Sequence, residues 1–120
     1  MISQHLFEYS GAIHIHSTYS DGTGGIPEIL NAAQAAGIDF IVLTDHNSLE
    51  ARSAGWEGWH GDLLLIVGEE VSSRKGHCLA IGTSTRVNHR QPPEDIIRDI
   101  RTQEGLAFLA HPHGVYRPLF

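Results

Sequence analysis

Cysteine and basic side chains are scarce in this chain of 120 residues, and each scarcity excludes a class of function. With Cys78 as the only cysteine, the chain can form neither an internal disulfide nor a thiolate-rich structural zinc site. The 8 Lys and Arg residues against 14 Asp and Glu give a net charge of −6, which leaves no basic stripe for an extended nucleic-acid duplex. A short nucleic acid or a small phosphorylated molecule remains compatible with this charge.

Long apolar segments are also absent. The longest aliphatic run, LLLIV at 63–67, is far shorter than the roughly 20 residues that cross a bilayer. The N-terminus has neither the basic start nor the apolar stretch of a signal peptide, so we expect a cytoplasmic protein without a membrane segment. With 41% hydrophobic and 18% charged residues and no repeat or linker-like tract, residues 1–120 are predicted to form a single domain.

The sequence predicts apolar strands that alternate with helices along the chain. Strands are predicted at 11–16, 39–45, 63–67, 77–82 and 106–110. One helix is predicted from Pro27 to the residue before Gly37, a weak helical segment at 49–59, and another helix within QPPEDIIRDIRTQEG. This alternation predicts an α/β fold with a parallel sheet built from βα units.

The stretch HIHSTYSDG is the most informative part of the sequence. Side chains alternate along a strand, so His14 and His16 are predicted to project from one face, roughly 7 Å apart at the backbone. Asp21 follows on a loop that Gly22 lets turn sharply, which would return a carboxylate to the same place. On this motif alone, a strand with two incidental histidines and a turn aspartate remains an alternative.

Polar residues also follow the next two predicted strands. TDHN places Asp45, His46 and Asn47 at the end of the strand predicted at 39–45. Asp and Asn are also common in turns, so Asp45 and Asn47 could be turn formers. VGEEVSS places Glu69 and Glu70 after the other, and strand alternation allows only one of the two carboxylates to point inward. A buried carboxylate needs a partner, for which a nearby cation is the simplest choice, whereas an exposed acidic pair is the competing interpretation.

Three more histidines lie at the ends of the last two predicted strands. His77 begins the strand in GHCLAIG and shares its face with aliphatic side chains, which is also typical of a core histidine. His111 and His113 follow FLA, and Pro112 fixes the backbone between them. We favour His111 because it is nearer the strand.

The coincidence of such residues at four or five strand ends indicates a metal centre. The ends of strands in parallel α/β folds are where ligands and catalytic residues gather. Imidazoles and carboxylates without a thiolate suit Mn²⁺, Zn²⁺ or Fe²⁺ better than Mg²⁺ or Ca²⁺.

The motifs and their order resemble the PHP family, named for polymerase and histidinol phosphatase. HxHxxxSDG, a strand followed by TDH, GEEVS, a strand-initial histidine and AHP occur in the family's order over essentially the whole chain. They are most similar to the stand-alone phosphoesterases of that family. The resemblance implies a distorted barrel of seven βα units with two or three divalent ions at its C-terminal rim. The family's late Asp-x-His element does not occur in the sequence, so we expect a truncated, N-terminal part of this barrel.

The resemblance also implies roles for individual residues. His14 and His16 would bind the first metal, and Asp21 and His46 the second. Glu70 would bridge metals, with Glu69 as its outward-facing neighbour. The remaining ligands would be His77 and His111, and the residues that act in catalysis through the metals would be Asp21, His46 and Glu70.

The activity implied by the resemblance is hydrolysis of a phosphate ester on a nucleotide, short nucleic acid or small phosphorylated metabolite. Divalent ions would lower the pKa of a bound water and orient the resulting hydroxide toward phosphorus. Asp45 is predicted to orient His46 or a neighbouring ligand, and a phosphate clamp is predicted from Arg74, Lys75 and Arg117. Two alternatives remain: a metal-dependent hydrolase of C–N bonds, and a non-catalytic or proofreading module of a larger replication protein.

Overall fold

The structure is a computed structural model that describes residues 5–112. Within that range six strands form one sheet, accompanied by three helices. In chain order the elements are β1 (Gly11–Ile15), α1 (Ile26–Ala36), β2 (Phe40–His46), α2 (Glu50–Ser53), β3 (Gly58–His60), β4 (Leu63–Ser73), β5 (Gly76–Ile81), α3 (Pro93–Thr102) and β6 (Leu106–Ala110). None of the helices in this part of the chain is long and apolar enough to cross a membrane.

The sheet is mixed, so the prediction of a purely parallel sheet is wrong, although the α/β class is confirmed. The strand order is β1-β2-β4-β5-β6, and β3 pairs with the first residues of β4. Only β1–β2 and β2–β4 are parallel, whereas β4–β5 and β5–β6 are antiparallel. The physical reason is the short turn at Arg74 and Lys75, because a parallel crossover needs a dozen or more residues. The curled sheet is consistent with part of a barrel.

Strand direction brings several strand ends to one edge of the sheet. Because β4 and β6 are both antiparallel to β5, they run in the same direction as each other and as β1 and β2. The C-terminal ends of these four strands therefore share an edge with the N-terminal end of β5. That edge carries His16, His46 and His111, which follow or end these strands, together with His77 near the start of β5.

Two elements differ in extent from the bounds predicted for them. The strand predicted at 63–67 continues to Ser73, so Glu69 and Glu70 lie inside β4 rather than after its end. The weak helix predicted at 49–59 is reduced to Glu50–Ser53. Gly55 and Gly58 both have positive φ, which ends the helix and leads the chain into β3.

The hydrophobic core lies mainly on the face of the sheet that the longer helices cover. Alternate residues of β4 point to this face, including Leu65, Val67 and Val71. One cluster joins Leu65 and Val67 to α1, and a second cluster, which contains Val71, joins β4 and β5 to α3. The intervening residues of β4, which include Glu70, face the other side.

Candidate metal centre

Glu70 lies at the centre of a group of five histidines. Its side chain is 1% exposed, and both carboxylate oxygens face imidazole nitrogens. Around Oε2 lie His14 Nε2 at 2.9 Å, His16 Nε2 at 3.0 Å and His46 Nδ1 at 3.5 Å. Around Oε1 lie His77 Nδ1 at 2.8 Å and His111 Nε2 at 2.9 Å. The structure therefore brings these six predicted ligands together.

The environment of Glu70 keeps its carboxyl group ionised. Burial by itself would raise the pKa of Glu70, because the charged form loses hydration. Hydrogen bonds from His14, His111 and His77 outweigh this effect and lower the pKa to about 2. The result is a buried negative charge that is stable only with donors or cations around it.

His14 reaches Glu70 through an irregular backbone rather than through simple strand alternation. Its φ is 65°, in the left-handed region, and the pairing of β1 with β2 shifts register between Ala12 and Ile15. A β-bulge of this kind redirects a side chain at a cost in backbone strain. The Nε2 atoms of His14 and His16 nevertheless meet at Oε2 of Glu70. His111 also has a positive φ, of 31°.

Asp21 completes a second group of side chains with His16 and His46. Its Oδ1 lies 3.6 Å from His16 Nδ1, and its Oδ2 lies 3.2 Å from His46 Nε2. His16 Nδ1 is buried and makes no hydrogen bond with any described residue. Burial, followed by the nearby His46, lowers the pKa of His16, which favours the neutral imidazole that binds metal ions.

Asp45 orders the loop that carries Asp21. Of its two predicted partners, His46 or a neighbouring ligand, its hydrogen bonds reach the loop of the neighbouring ligand. Its carboxylate accepts hydrogen bonds from the Ser17 amide at 2.7 Å, the Ser17 hydroxyl at 2.8 Å and the Ser20 hydroxyl at 2.6 Å. The side chain of Asp45 points away from that of His46 because adjacent residues of β2 face opposite sides. The two serines of the HIHSTYSDG motif were the sequence signal for this role.

Ser72 is the partner of His46 that sequence reasoning missed. Its hydroxyl lies 2.6 Å from His46 Nδ1 and donates to the Glu70 carbonyl oxygen at 3.2 Å. The hydroxyl oxygen then accepts the proton on Nδ1, which leaves the lone pair of Nε2 directed toward Asp21. Asn47 holds Ser72 in place by accepting its backbone N–H at 2.9 Å.

Glu69 lies outside the histidine cluster, on the opposite face of β4. It faces away from the histidines and is fully buried rather than exposed to solvent. One carboxylate oxygen accepts the Val87 amide at 2.7 Å. Burial raises the pKa of Glu69, and the Val87 amide, Arg86 and Arg52 oppose that effect.

The donor atoms fit a centre for divalent metal ions. Within residues 5–112, three groups have potential ligand atoms within 4.8 Å of one another: His14, His16 and Glu70; His16, Asp21 and His46; and His46, Glu70 and His77. The buried Nδ1 of His16, without a hydrogen-bond partner, is the atom that a bound cation would satisfy. Cys78 packs instead against the second hydrophobic cluster, so the donors are imidazoles and carboxylates.

The predicted phosphate clamp is only partly visible. Arg74 and Lys75 are exposed and lie in the turn between β4 and β5. Arg117 lies outside the described residues, as does His113.

The sequence profile of the PHP domain matches residues 12–111, a range that includes all seven predicted metal ligands. This chain belongs to the PHP domain family. The motif order that suggested the family is therefore confirmed.

Three similar proteins place this PHP chain among its relatives. It is 26% identical to an uncharacterized protein of Methanocaldococcus jannaschii, over 85% of this chain and 67% of that protein. It is 31% identical to a phosphoribosyl 1,2-cyclic phosphate 1,2-diphosphodiesterase of Eggerthella lenta, over 58% of this chain and 29% of that protein. A solved two-domain protein of Bacteroides vulgatus, described as containing a predicted PHP-like metal-dependent phosphoesterase, superposes with a TM-score of 0.67 and 25% identity.

The PHP chain matches these relatives over unequal shares of their length. It spans 67% of the Methanocaldococcus jannaschii protein, 29% of the diphosphodiesterase and 36% of the two-domain structure. The superposition on the two-domain structure covers 88% of this chain.

Proposed function

We propose that this PHP chain binds divalent metal ions and hydrolyses phosphate esters. The observation that carries the proposal is the buried Glu70 carboxylate, which faces five imidazole nitrogens at 2.8 to 3.5 Å. Bringing so many titratable groups together on strained backbone costs stability, and such clusters occur mainly at functional sites. The curled sheet that carries them would belong to a distorted barrel of seven βα units.

The proposed ligands follow the observed grouping of side chains. His14 and His16 approach one oxygen of Glu70, while His77 and His111 approach the other. Asp21 and His46 form the group on the far side of His16. This arrangement supports two or three ions, and the mixture of imidazole and carboxylate donors favours Mn²⁺, Zn²⁺ or Fe²⁺.

The chemistry divides between the ions and the chain. Bound divalent ions would lower the pKa of a water molecule and neutralise charge on the phosphate. Glu70 would bridge the ligand groups from a buried position, while Asp21, with its side chain 69% exposed, would face the substrate side. Ser72 would keep His46 in the tautomer whose Nε2 is available. Contacts with substrate phosphate would come from Arg74, Lys75 and Arg117.

The relatives support a phosphate ester as the substrate. One is named as a diphosphodiesterase of a cyclic phosphate and another is described as a phosphoesterase. We propose the same bond type here, on a nucleotide, a short nucleic acid or a small phosphorylated metabolite. Assays should therefore include both a phosphodiester and a phosphomonoester.

The adjacent glutamates of β4 provide a matched test. We expect purified protein to carry stoichiometric Mn, Zn or Fe by elemental analysis, and to hydrolyse bis(p-nitrophenyl) phosphate or p-nitrophenyl phosphate. Glu70→Gln should lose most of the metal and about 100-fold or more of the activity, because a ligand to the ions is removed. Glu69→Gln alters an equally buried carboxylate on the opposite face and should retain both.

Two results would contradict the proposal. A parent protein without stoichiometric transition metal would show that the centre does not form in this chain. Hydrolysis of p-nitroacetanilide without hydrolysis of either phosphate ester would instead favour the C–N hydrolase alternative.

A further inference from the structure

Strand β4 has a gap in its pairing between β3 and β5. β3 pairs with β4 at residues 63–65, and β5 pairs with it at residues 69–73. Both lie on the side away from β2, because β2 pairs with β4 throughout residues 64–70. On that side, no strand in the described part of the chain pairs with residues 66–68. The gap is next to the part of β4 that carries Glu70, the central carboxylate of the candidate metal centre.

Arg52 and Glu57 fill this gap with side-chain hydrogen bonds. The residue in the middle of the gap is Val67, which is 1% exposed. Its N–H donates to Glu57 Oε2 at 2.7 Å, and its carbonyl oxygen accepts a hydrogen bond from Arg52 Nη2. Arg52 Nε lies 3.2 Å from Glu57 Oε1, so the two side chains also form an ion pair. We call this pair the Arg52–Glu57 bridge, because it satisfies backbone groups that a neighbouring strand would otherwise pair with.

The guanidinium group of Arg52 extends the bridge to the chain that follows β5. Its Nη1 donates to the carbonyl oxygen of Thr83 at 2.6 Å, and Thr83 is 1% exposed. Guanidinium is planar and presents its N–H donors in a fixed fork, so one arginine can hold two carbonyl oxygens in a fixed relation. Arg52 therefore ties β4 to the end of β5 across the gap.

The bridge joins three segments that carry candidate ligands. Arg52 lies in α2, the helix that follows His46, while β4 carries Glu70 and β5 carries His77. His46 Nδ1 lies 3.5 Å from one oxygen of Glu70, and His77 Nδ1 lies 2.8 Å from the other. A functional site needs its ligands held to within about 0.5 Å of the productive geometry. The relative placement of these three segments thus decides whether the ligand atoms meet.

We propose that Arg52 positions the ligands of the metal centre without contacting the ions. Through the carbonyl oxygens of Val67 and Thr83, it fixes β4 and the end of β5 relative to the segment that follows β2. This inference rests on the proposed function, because it assigns a further residue to the same centre. The competing explanation is that the bridge only stabilises the fold, in which case every folded variant keeps an unchanged centre.

Arg52→Lys separates these explanations. Lysine keeps the positive charge, but an ammonium group lacks the planar fork that reaches both carbonyl oxygens. In variant protein whose folding is verified by circular dichroism, we expect the Kd for Zn²⁺, measured against a chromophoric chelator, to rise about tenfold, as for groups that orient a metal ligand. The visible absorption bands of the Co²⁺-loaded variant should also differ from those of the parent, since they depend on ligand geometry.

Arg98→Lys is the matched control. Arg98 also pairs with a carboxylate, that of Asp95, but this pair lies within α3, and the arginine N–H donates to the carboxylate rather than to a strand carbonyl. The same substitution there should leave the Kd for Zn²⁺ and the Co²⁺ spectrum at the parent values. Equal changes in the two lysine variants would overturn the inference, because they would not depend on the bridge.

Glu57 provides variants that carry the test if Arg52→Lys does not fold. Glu57→Gln keeps a side-chain oxygen that accepts the N–H of Val67 but loses the ion pair with Arg52, whereas Glu57→Ala loses both. We expect the Kd for Zn²⁺ to rise in both variants, and to rise less in Glu57→Gln. Parent values of the Kd and of the Co²⁺ spectrum in the folded bridge variants would overturn the inference.

Metal binding and hydrolysis are measured separately, so the inference and the proposed function fail separately. If the parent binds Zn²⁺ but hydrolyses no phosphate ester, the function fails, while the Kd values still decide the inference. If the parent binds no metal, long-range ¹H–¹⁵N spectra of its imidazole groups replace the Kd. Arg52→Lys should then shift the ring signals of His46 and His77 but not those of His89, which lies in the segment before α3. Ring signals that match those of the parent would overturn the inference.

Discussion

Glu69 and Glu70 are neighbours in β4, yet their carboxylates lie on opposite faces of the sheet. Glu70 meets the five histidines of the candidate centre, whereas Glu69 accepts the Val87 amide on the side of the hydrophobic core. Their surroundings move the two pKa values in opposite directions, lowering that of Glu70 and raising that of Glu69. The hydrogen-bond partners of Glu70 thus stabilise its ionised form, whereas burial destabilises the ionised form of Glu69.

The raised pKa of Glu69 predicts a pH-dependent loss of stability. As the pH rises above the ordinary value of 4.5, the unfolded chain releases the proton of Glu69 before the folded protein does. The folded state then binds more protons, so the free energy of unfolding falls until the pH passes the folded pKa. Glu69→Gln cannot ionise and should lack this contribution.

Urea unfolding of parent and Glu69→Gln between pH 4 and pH 8 measures that contribution, because the other titrating groups largely cancel in the difference. We expect the variant to gain stability relative to the parent as the pH increases. A difference that is constant with pH would mean that Glu69 titrates normally.

Removal of the Ser72 hydroxyl should weaken metal binding by about tenfold, the lower end of the range for groups that orient a metal ligand. Ser72→Ala deprives His46 of the oxygen at 2.6 Å that accepts its Nδ1 proton, so the ring loses its fixed tautomer. Competition for Zn²⁺ against a chromophoric chelator measures the affinity. Ser72→Thr keeps the hydroxyl and should restore binding, whereas equal weakening in both variants would indicate a packing effect.

The positions of the candidate ligands could be predicted because they depend on local patterns. Each ligand lies within an apolar strand or in the residues next to one, and the strands were identifiable from their composition. The direction of β5 was missed although its signal was present, since the turn at Arg74 and Lys75 is too short for a crossover. Strand alternation allowed only one of Glu69 and Glu70 to point inward, and the resemblance to the family selected Glu70. Neither argument could show which groups surround Glu69 on the opposite face.

Other features depend on contacts between distant parts of the chain. The burial of Glu69 depends on Val87, which is 18 residues away, and the role of Asp45 depends on Ser17, which is 28 residues away. The bulge at His14 has no signal in a motif that alternates regularly. Its left-handed backbone is held by the interactions around it rather than by the preference of histidine itself.

Gly22→Ala should disturb the loop that carries Asp21, whereas Gly24→Ala should be tolerated. A Cβ at Gly22 would lie 2.1 Å from the carbonyl oxygen of His16, but a Cβ at Gly24 would have its nearest neighbour at an ordinary 3.7 Å. Overpacking against backbone typically costs about 1–3 kcal/mol of stability. We expect Gly22→Ala to lose stability in this range and to bind metal more weakly, as measured by urea unfolding and chelator competition. Similar behaviour of the two variants would contradict this role of Gly22.

Metal ions should stabilise the folded chain, and acid should remove that stabilisation. A ligand at 100 times its Kd adds about 2.7 kcal/mol to the free energy of unfolding when it binds only the folded state. Imidazoles must be neutral to bind, so protons compete with the metal as the pH falls, and the lowered pKa of His16 delays that competition at one ligand. Thermal unfolding with Zn²⁺ or with EDTA should therefore show a large difference in Tm at pH 7.5 and a small one at pH 5.

The Glu70→Gln variant is the control. Its difference in Tm between Zn²⁺ and EDTA should be small at both pH values, because the carboxylate shared by the ligand groups is gone. A full difference in that variant would mean that the stabilising ion binds elsewhere.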